Sequence, residues 1–517
     1  MERSQARSMV ITRSGLVAAS QTLASQAGAQ ALARGGSAVD AAIVANAVLS
    51  VVEPMMCGLG GDLFAIHRDA SGALTGINAS GYAPRALTLE RLNFSVPLSG
   101  IHTVTVPGAV DGWSKLHARF GKLPWADLFA PAIYCADHGF PLTEIIQYDW
   151  EHCDRVLEDE NGARLFLPGG RAPRVGEIFR NPDLARAYRI LAECGPRALY
   201  EGELARAILA TSRRLGGTIS AADLRDFESE WVAPLSSSYR GWAVFELPPN
   251  GQGVGTLQML NIMENFPLLA MDPLGADAIH IKIEAQKRAF ADQRRYIADP
   301  RFSDVPLDRL LSKDYARAQA ASIGHTVYLA AADREGNLVS WIQSISDLWG
   351  SGVLVDGFGF HLHSRGAAFS SDPAHPNALE PGKRPYHTII PGFMESDQQH
   401  IAFGIMRGLN QAQAQAQFVS SIADHGMNIQ AALEAPRFSK ITLGGNDVRI
   451  EARVPAETRA ELEHRGHALD VRADFSGYMG GGQAILRDSG EKVNYGASSP
   501  RKDGSAVPEP DPFWGSS

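Results

Sequence analysis

Residues 324–344 read Gly324-His325-Thr326-Val327-Tyr328-Leu329-Ala330-Ala331-Ala332-Asp333-Arg334-Glu335-Gly336-Asn337-Leu338-Val339-Ser340-Trp341-Ile342-Gln343-Ser344. Two apolar runs rich in strand formers flank a short polar turn containing a Gly-Asn pair, which predicts a β-hairpin. Thr326 opens the first strand, directly after a Gly-His pair. A β-branched side chain suits a strand, and that alone accounts for most threonines in such places. The position also admits a chemical reading. A threonine hydroxyl is a poor nucleophile until a base takes its proton. Cleavage of the chain just before Thr326 would supply that base as the residue's own α-amine.

Outward from the hairpin, the chain has an ordinary globular composition, 45% apolar and 20% charged over 517 residues. The length would allow about three domains, but apolar segments are spread evenly and no linker separates them, so one compact unit is expected. A net charge of −9 gives no basic footprint for nucleic acid. Cys57, Cys135, Cys153 and Cys194 show no metal spacing and are expected to be reduced and structural. The polar start Met1-Glu2-Arg3-Ser4 lacks the apolar core of a signal peptide. No run approaches a membrane span. A cytoplasmic protein without membrane contact is the expectation.

Residues 21–34 read as an Ala-rich helix closed by Gly35-Gly36. Ser37 with Asp40 caps a second apolar helix running to about Val52. Strands are expected at 63–68 and 74–78, joined by Ala70-Ser71-Gly72. Helical spacing dominates from about 110 to 320, notably at 182–193, 203–215 and 275–296. The chain is then strand-rich to about Ile405, with a helix at 411–424 and strands near 447–452 and 483–487. The Pro-rich end, Val507 to Trp514, reads as a loosely held terminus. Strands at both ends with helices between predict sheets packed face to face under helices. Gly58-Leu59-Gly60-Gly61-Asp62 lacks the Lys-Ser/Thr pair of a phosphate loop and precedes a strand, so a tight turn is expected there.

The hairpin and its continuation Gly350-Ser351-Gly352-Val353-Leu354-Val355 closely resemble the start of the small subunit in the γ-glutamyltranspeptidase family. The likeness runs through Gly35-Gly36-Ser37-Ala38-Val39-Asp40, Val52-Glu53-Pro54, Gly58 to Asp62, Val106-Pro107-Gly108 and Pro248-Pro249-Asn250-Gly251-Gln252-Gly253. It continues through Glu284 to Asp292, Pro381-Gly382-Lys383-Arg384-Pro385, Ala435-Pro436-Arg437-Phe438, Gly481-Gly482-Gln483-Ala484 and Ser499-Pro500-Arg501-Lys502-Asp503-Gly504. The order and spacing of these segments carry the signal. Arg365-Gly366-Ala367-Ala368-Phe369-Ser370 and Ala473-Asp474-Phe475-Ser476 resemble the transpeptidase-like branch that includes oxamate amidohydrolase.

The resemblance implies an α+β fold, the four-layer αββα sandwich of N-terminal-nucleophile hydrolases, made from two chains after self-cleavage between His325 and Thr326. Residues 1–325 would form the large subunit and 326–517 the small one, paired as a heterodimer that could assemble further, with no cofactor and no metal. Thr326 would be the nucleophile, and Ser344 would match the hydroxyl that holds its α-amine. Arg407 and Gly408 would match the Gly-Gly pair whose backbone N–H groups form the oxyanion hole. Arg407 stands where a glycine can adopt a positive φ, and it brings a cation to the reacting centre.

Residues that hold a γ-glutamyl group elsewhere in the family are replaced here by Ser80, Ser346, Ala368, His387 and Thr388. A glutamyl ammonium and carboxylate without counter-charges would cost several kcal/mol to bury. Arg365, His387, Thr388 and Arg407 could instead present donors to a small anionic acyl group. The expected substrate is therefore a small carboxylate-bearing amide such as oxamate. Two alternatives are hydrolysis or transfer of γ-glutamyl groups from glutathione-like compounds, and an uncleaved, non-catalytic homologue.

Overall fold

The computed structural model describes residues 5–152, 158–319 and 329–511. His325 and Thr326, the first residues of the predicted hairpin and Cys153 lie outside the described residues. Nineteen strands are described: β1 (Val10–Thr12), β2 (Leu16–Ala19), β3 (Asp62–Arg68), β4 (Leu74–Ala79), β5 (Phe140–Pro141), β6 (Ile178–Phe179), β7 (Glu230–Val232), β8 (Leu235–Tyr239), β9 (Trp242–Glu246), β10 (Leu329–Ala332), β11 (Leu338–Ser344), β12 (Gly392–Glu395), β13 (Gln399–Ile405), β14 (Phe438–Lys440), β15 (Asp447–Glu451), β16 (Ala468–Arg472), β17 (Gly482–Asp488), β18 (Val493–Ser498) and β19 (Ser505–Pro508).

The hairpin forms β10 and β11, with Leu329 opposite Trp341 and Ala332 opposite Leu338. Its turn is tied by one side chain. The Asp333 carboxylate accepts from the backbone N–H groups of Glu335, Gly336 and Asn337 and from the Asn337 amide, the way Asp commonly fixes a tight loop.

Two seven-stranded sheets run in the orders β1-β18-β17-β13-β12-β9-β8 and β19-β2-β10-β11-β3-β4-β7. Every pairing within them is antiparallel. The period of two sorts their side chains. Leu16, Ala18, Phe64, Ala330, Ala332 and Ile342 of the second sheet meet Phe393, Ala402 and Ile485 of the first in one buried cluster. The alternate residues Val17, Ala65, Ala331, Val339 and Trp341 face the helices Thr22–Ala33 and Ala38–Val52. On the other side, Val244, Ile401, Phe403 and Ala484 face the helices Gly253–Met263, Ala276–Tyr296 and Gln411–Ala423. The layers are thus helix, sheet, sheet, helix, the αββα sandwich expected from sequence.

The helix Ala38–Val52 shows why local sequence and packing agree. Ser37 and Asp40 form a capping box at its start, and every residue in it is buried. A helix apolar on all sides has to sit between layers, here between the second sheet and the helix Ala130–His138.

Two expectations are corrected. Residues 230–246, inside the stretch read as mostly helical, supply the edge strands β7 and β8 and, next to β8, the strand β9; their short polar runs such as Leu235-Ser236-Ser237-Ser238 hide the period of a strand. The terminus is also not loose over residues 505–511. β19 pairs with β2, the Glu509 carboxylate accepts from Gly15 N–H at 2.8 Å, and it pairs with Arg334. β-Augmentation by a Pro-ended edge strand overrides the compositional signal. Cys57, Cys135 and Cys194 are free thiols. No helix among the described residues is long and apolar enough to cross a membrane.

Candidate active site

Ser344 ends β11 and stands directly across from Asp62, the first residue of β3. The turn before Asp62 needs its glycines because the chain crowds it. A β-carbon on Gly60 would stand 2.2 Å from the His361 carbonyl oxygen, and one on Gly61 would stand 2.6 Å from that of Ser344. This packing lays residues 361–365 beside Asp62. The Ser344 hydroxyl oxygen accepts from Ser346 N–H at 2.8 Å, and its side chain is buried.

Asp62 is the centre of the buried constellation. His387 Nε2 lies 2.8 Å from its Oδ2, Arg365 Nε lies 3.3 Å from the same oxygen, and Gly81 N–H donates to Oδ1 at 3.2 Å. His363 Nε2 lies 3.6 Å from Oδ1. The backbone fixes both imidazole tautomers. Ile389 N–H donates to His387 Nδ1 at 3.3 Å, and Arg365 N–H donates to His363 Nδ1 at 3.1 Å. Each Nδ1 therefore accepts and each Nε2 carries the proton, which His387 gives to Asp62 and His363 gives to Thr105 Oγ1 at 3.4 Å.

Burial drives His387 down to about 3, with the Arg365 charge acting in the same direction; it is neutral at physiological pH. Burial alone would raise Asp62, but His363, the His387 hydrogen bond and Arg365 outweigh it and hold the carboxyl at about 2. Among these partners Arg365 is the permanent cation.

Arg365 in turn reaches outward. Its Nη1 donates to Thr388 Oγ1 at 2.9 Å, and its buried Nη2 has no hydrogen-bond partner among the described residues. Of the expected substrate donors, Arg365, His387 and Thr388 are thus brought together. Both nitrogens of His387 are engaged within the protein, while Thr388 is half-buried.

Gln252 joins this cluster to the segment matched to the oxyanion hole. Its amide nitrogen donates to Thr388 O at 2.6 Å and approaches Gly408 O at 3.4 Å. Arg407 has φ 104° and Gly408 φ 48°, so the arginine does occupy the left-handed region. The N–H groups of Arg407 and Gly408 form no hydrogen bond among the described residues. The loop 479–481 braces this segment: Met406 N–H donates to Gly481 O, and the Asn410 amide donates to Met479 O. Arg437 in turn holds Met479 O and Gly480 O. The Arg407 guanidinium lies 4.8 Å from the Tyr478 ring centroid, a cation–π contact.

Ser80, read from sequence as a missing arginine, is buried and bonded to Asn78 and Asn250. Sequence reading missed Asp62, His363 and Gln252 as site residues. No spacing rule marks them, since fold alone makes them neighbours. Among the described residues one cluster has the donors for a metal ion, His280, Glu284 and His467. There the two imidazoles bond each other at 2.8 Å and Glu284 pairs with Lys287, while the buried His467 Nδ1 has no hydrogen-bond partner among the described residues.

Comparison with known proteins places these features in a lineage. The γ-glutamyltranspeptidase family model matches residues 24–509. A glutathione hydrolase-like proenzyme of Bacillus subtilis is 36% identical over 96% of this chain and 99% of its own length. An oxamate amidohydrolase proenzyme of Klebsiella pneumoniae is 34% identical over 96% of this chain and 99% of its own. The crystal structure of a cephalosporin acylase from Bacillus halodurans superposes with a TM-score of 0.93 at 41% identity, covering 99% of this chain and 98% of the other.

Proposed function

This chain belongs to the γ-glutamyltranspeptidase family and is an amidohydrolase/acyltransferase of the N-terminal-nucleophile type; we propose that it cleaves itself between His325 and Thr326 and then hydrolyses a small carboxylate-bearing amide such as oxamate. The observation that carries the substrate is Arg365, whose buried Nη2 is a donor without a partner next to the half-exposed Thr388. A buried guanidinium edge left unsatisfied costs free energy that a bound carboxylate would recover.

In the proposed reaction Thr326 Oγ adds to the amide carbonyl while its α-amine takes the proton. Ser344, one strand away from Asp62, orients that amine. The free N–H groups of Arg407 and Gly408 receive the oxyanion. The amine product leaves with the proton, and water attacks the ester to release the acid and restore Thr326. Asp62 and His387 are positioning groups that hold Arg365 toward the acyl carboxylate, and Thr388 lines its path. Arg407 is proposed as a second cation for that carboxylate. The relative from Klebsiella, named for oxamate, supports this choice; the pocket's lack of charged partners at Ser80 and Ala368 argues against a glutamyl group.

The test is a substrate comparison on purified enzyme. Oxamate or a dicarboxylic monoamide is expected to be turned over with a kcat/KM well above that of a γ-glutamyl anilide. Selective hydrolysis of the anilide would overturn the substrate assignment in favour of glutathione-like compounds.

A further inference from the structure

The helix Ala276–Tyr296 carries a buried cation, Lys282. Lys282 is 4% exposed, and the opposite charge that acts on its ammonium, Asp424, is already engaged by Arg240, Tyr239 and Ser420. A buried ammonium whose counter-charge is bonded elsewhere is costly and rare, and it has room for a closer partner. The space beside it is a cavity of about 220 Å³ between that helix, the helices Gln411–Ala423 and Ile429–Glu434, and β14. Arg437 also borders the cavity, but its guanidinium is spent on the carbonyls of Leu433, Met479 and Gly480.

We propose that this cavity binds a small organic carboxylate, with the carboxylate on Lys282 and a short apolar body against Phe418, Met427 and Leu274. The lining divides accordingly. Phe418, Met427 and Leu274 supply apolar wall, and the Ser421 hydroxyl, bonded to Gln417 O at 2.8 Å, stands among the lining groups with Lys282. Asp272 is exposed and also borders the cavity. Its negative charge would favour ligands that carry a cationic group as well, such as an amino acid.

Burial lowers the Lys282 ammonium to about 8, against a smaller upward pull from Asp424. It therefore remains largely protonated below that pH, and a bound anion would raise it further. The site is separate from the catalytic one. Ser421 lies ten residues beyond Gln411 on a helix that begins just after the Arg407–Gly408 segment, about 15 Å along its axis.

The experiment uses butanoate as probe and butanamide as its neutral twin, on the full-length protein and on Lys282→Met. Calorimetry and thermal melting are expected to register butanoate on the wild type, with binding roughly ten- to a hundredfold weaker for butanamide, the loss of one charge-assisted contact. Lys282→Met is expected to abolish the difference between the two probes while leaving amide hydrolysis unchanged. Methionine fits the same space without a charge, so the variant is expected to melt no lower than wild type in the absence of ligand. In wild type, acetic anhydride is expected to acetylate Lys282, read by peptide mass spectrometry, and butanoate to protect it. Equal binding of the two probes, or retention of the carboxylate preference in Lys282→Met, would overturn the proposal.

Discussion

Arg407 has the backbone of a glycine and the side chain of a cation. Its φ of 104° costs on the order of 1–3 kcal/mol for a non-glycine residue, and structure elsewhere must hold it there. Met406, Asn410 and the loop 479–481 do so. Sequence alone made the strain legible, because a glycine position filled by arginine is visible by comparison with the motif. It did not reveal the resting place of the guanidinium over Tyr478, because residues 407 and 478 meet only through the fold. If Arg407 serves the substrate carboxylate, Arg407→Gly is expected to lower kcat/KM for an anionic amide by roughly ten- to a hundredfold, chiefly through KM. A neutral amide of equal size is expected to be much less affected. Steady-state kinetics of both substrates on both enzymes decides it, and an equal effect on the two would remove Arg407 from the substrate site.

At the scale of elements, the hairpin β10–β11, the capped helix Ala38–Val52 and the helix Gln411–Ala423 were legible because their local patterns and their packing agree. β7, β8 and β19 were not, since edge strands owe their form to a neighbour rather than to a period of their own. The candidate site was half legible for a related reason. Arg365, His387 and Thr388 drew notice as departures from a motif, whereas Asp62 lay hidden in a turn whose glycines explained themselves.

The loop 479–481 is the element that most directly shapes the oxyanion segment. Gly480 has φ 72°, and a β-carbon on it would stand 1.8 Å from Met406 O. Gly480→Ala is therefore expected to push Met406 and the adjoining N–H groups out of place. Activity is expected to fall roughly ten- to a hundredfold for a displacement worth about 1–3 kcal/mol, with the circular dichroism of the folded protein retained. Full activity in that variant would show that this brace does not position the Arg407 and Gly408 donors.

Over the whole molecule, both sheets interleave strands from before and after residues 320–328: β10 and β11 sit between β2 and β3, and β12 and β13 between β9 and β17. Two fragments cut in that segment would share both sheets and every core layer. The molecule's buried histidines contribute to its response to acid. His361 and His387 are driven down to about 3 by burial, whereas in the unfolded chain each takes a proton near 6.5. Between these values the unfolded state binds more protons, so their contribution to stability is fully present above about pH 6.5 and declines as pH falls, while the carboxyls of Glu246 and Glu53, raised by burial, act in the opposite direction. Asp62, held at about 2, adds a second loss only below about pH 4. Nitrogen-15 NMR of the imidazoles from about pH 8 to about pH 4 is expected to show His361 and His387 neutral throughout; protonation of either near 6.5 would contradict the neutral, buried state assigned to them.

The central claim is that Thr326 becomes a chain terminus and does the chemistry. Intact mass and N-terminal sequencing of the purified protein, run beside Thr326→Ala, test it most directly. The account predicts two fragments for the wild type, residues 1–325 and 326–517, with the smaller beginning at Thr326, and a single inactive chain for the variant. A hydrolytically active wild type that stays in one piece, a smaller fragment that begins at any other residue, or normal cleavage in Thr326→Ala would contradict it.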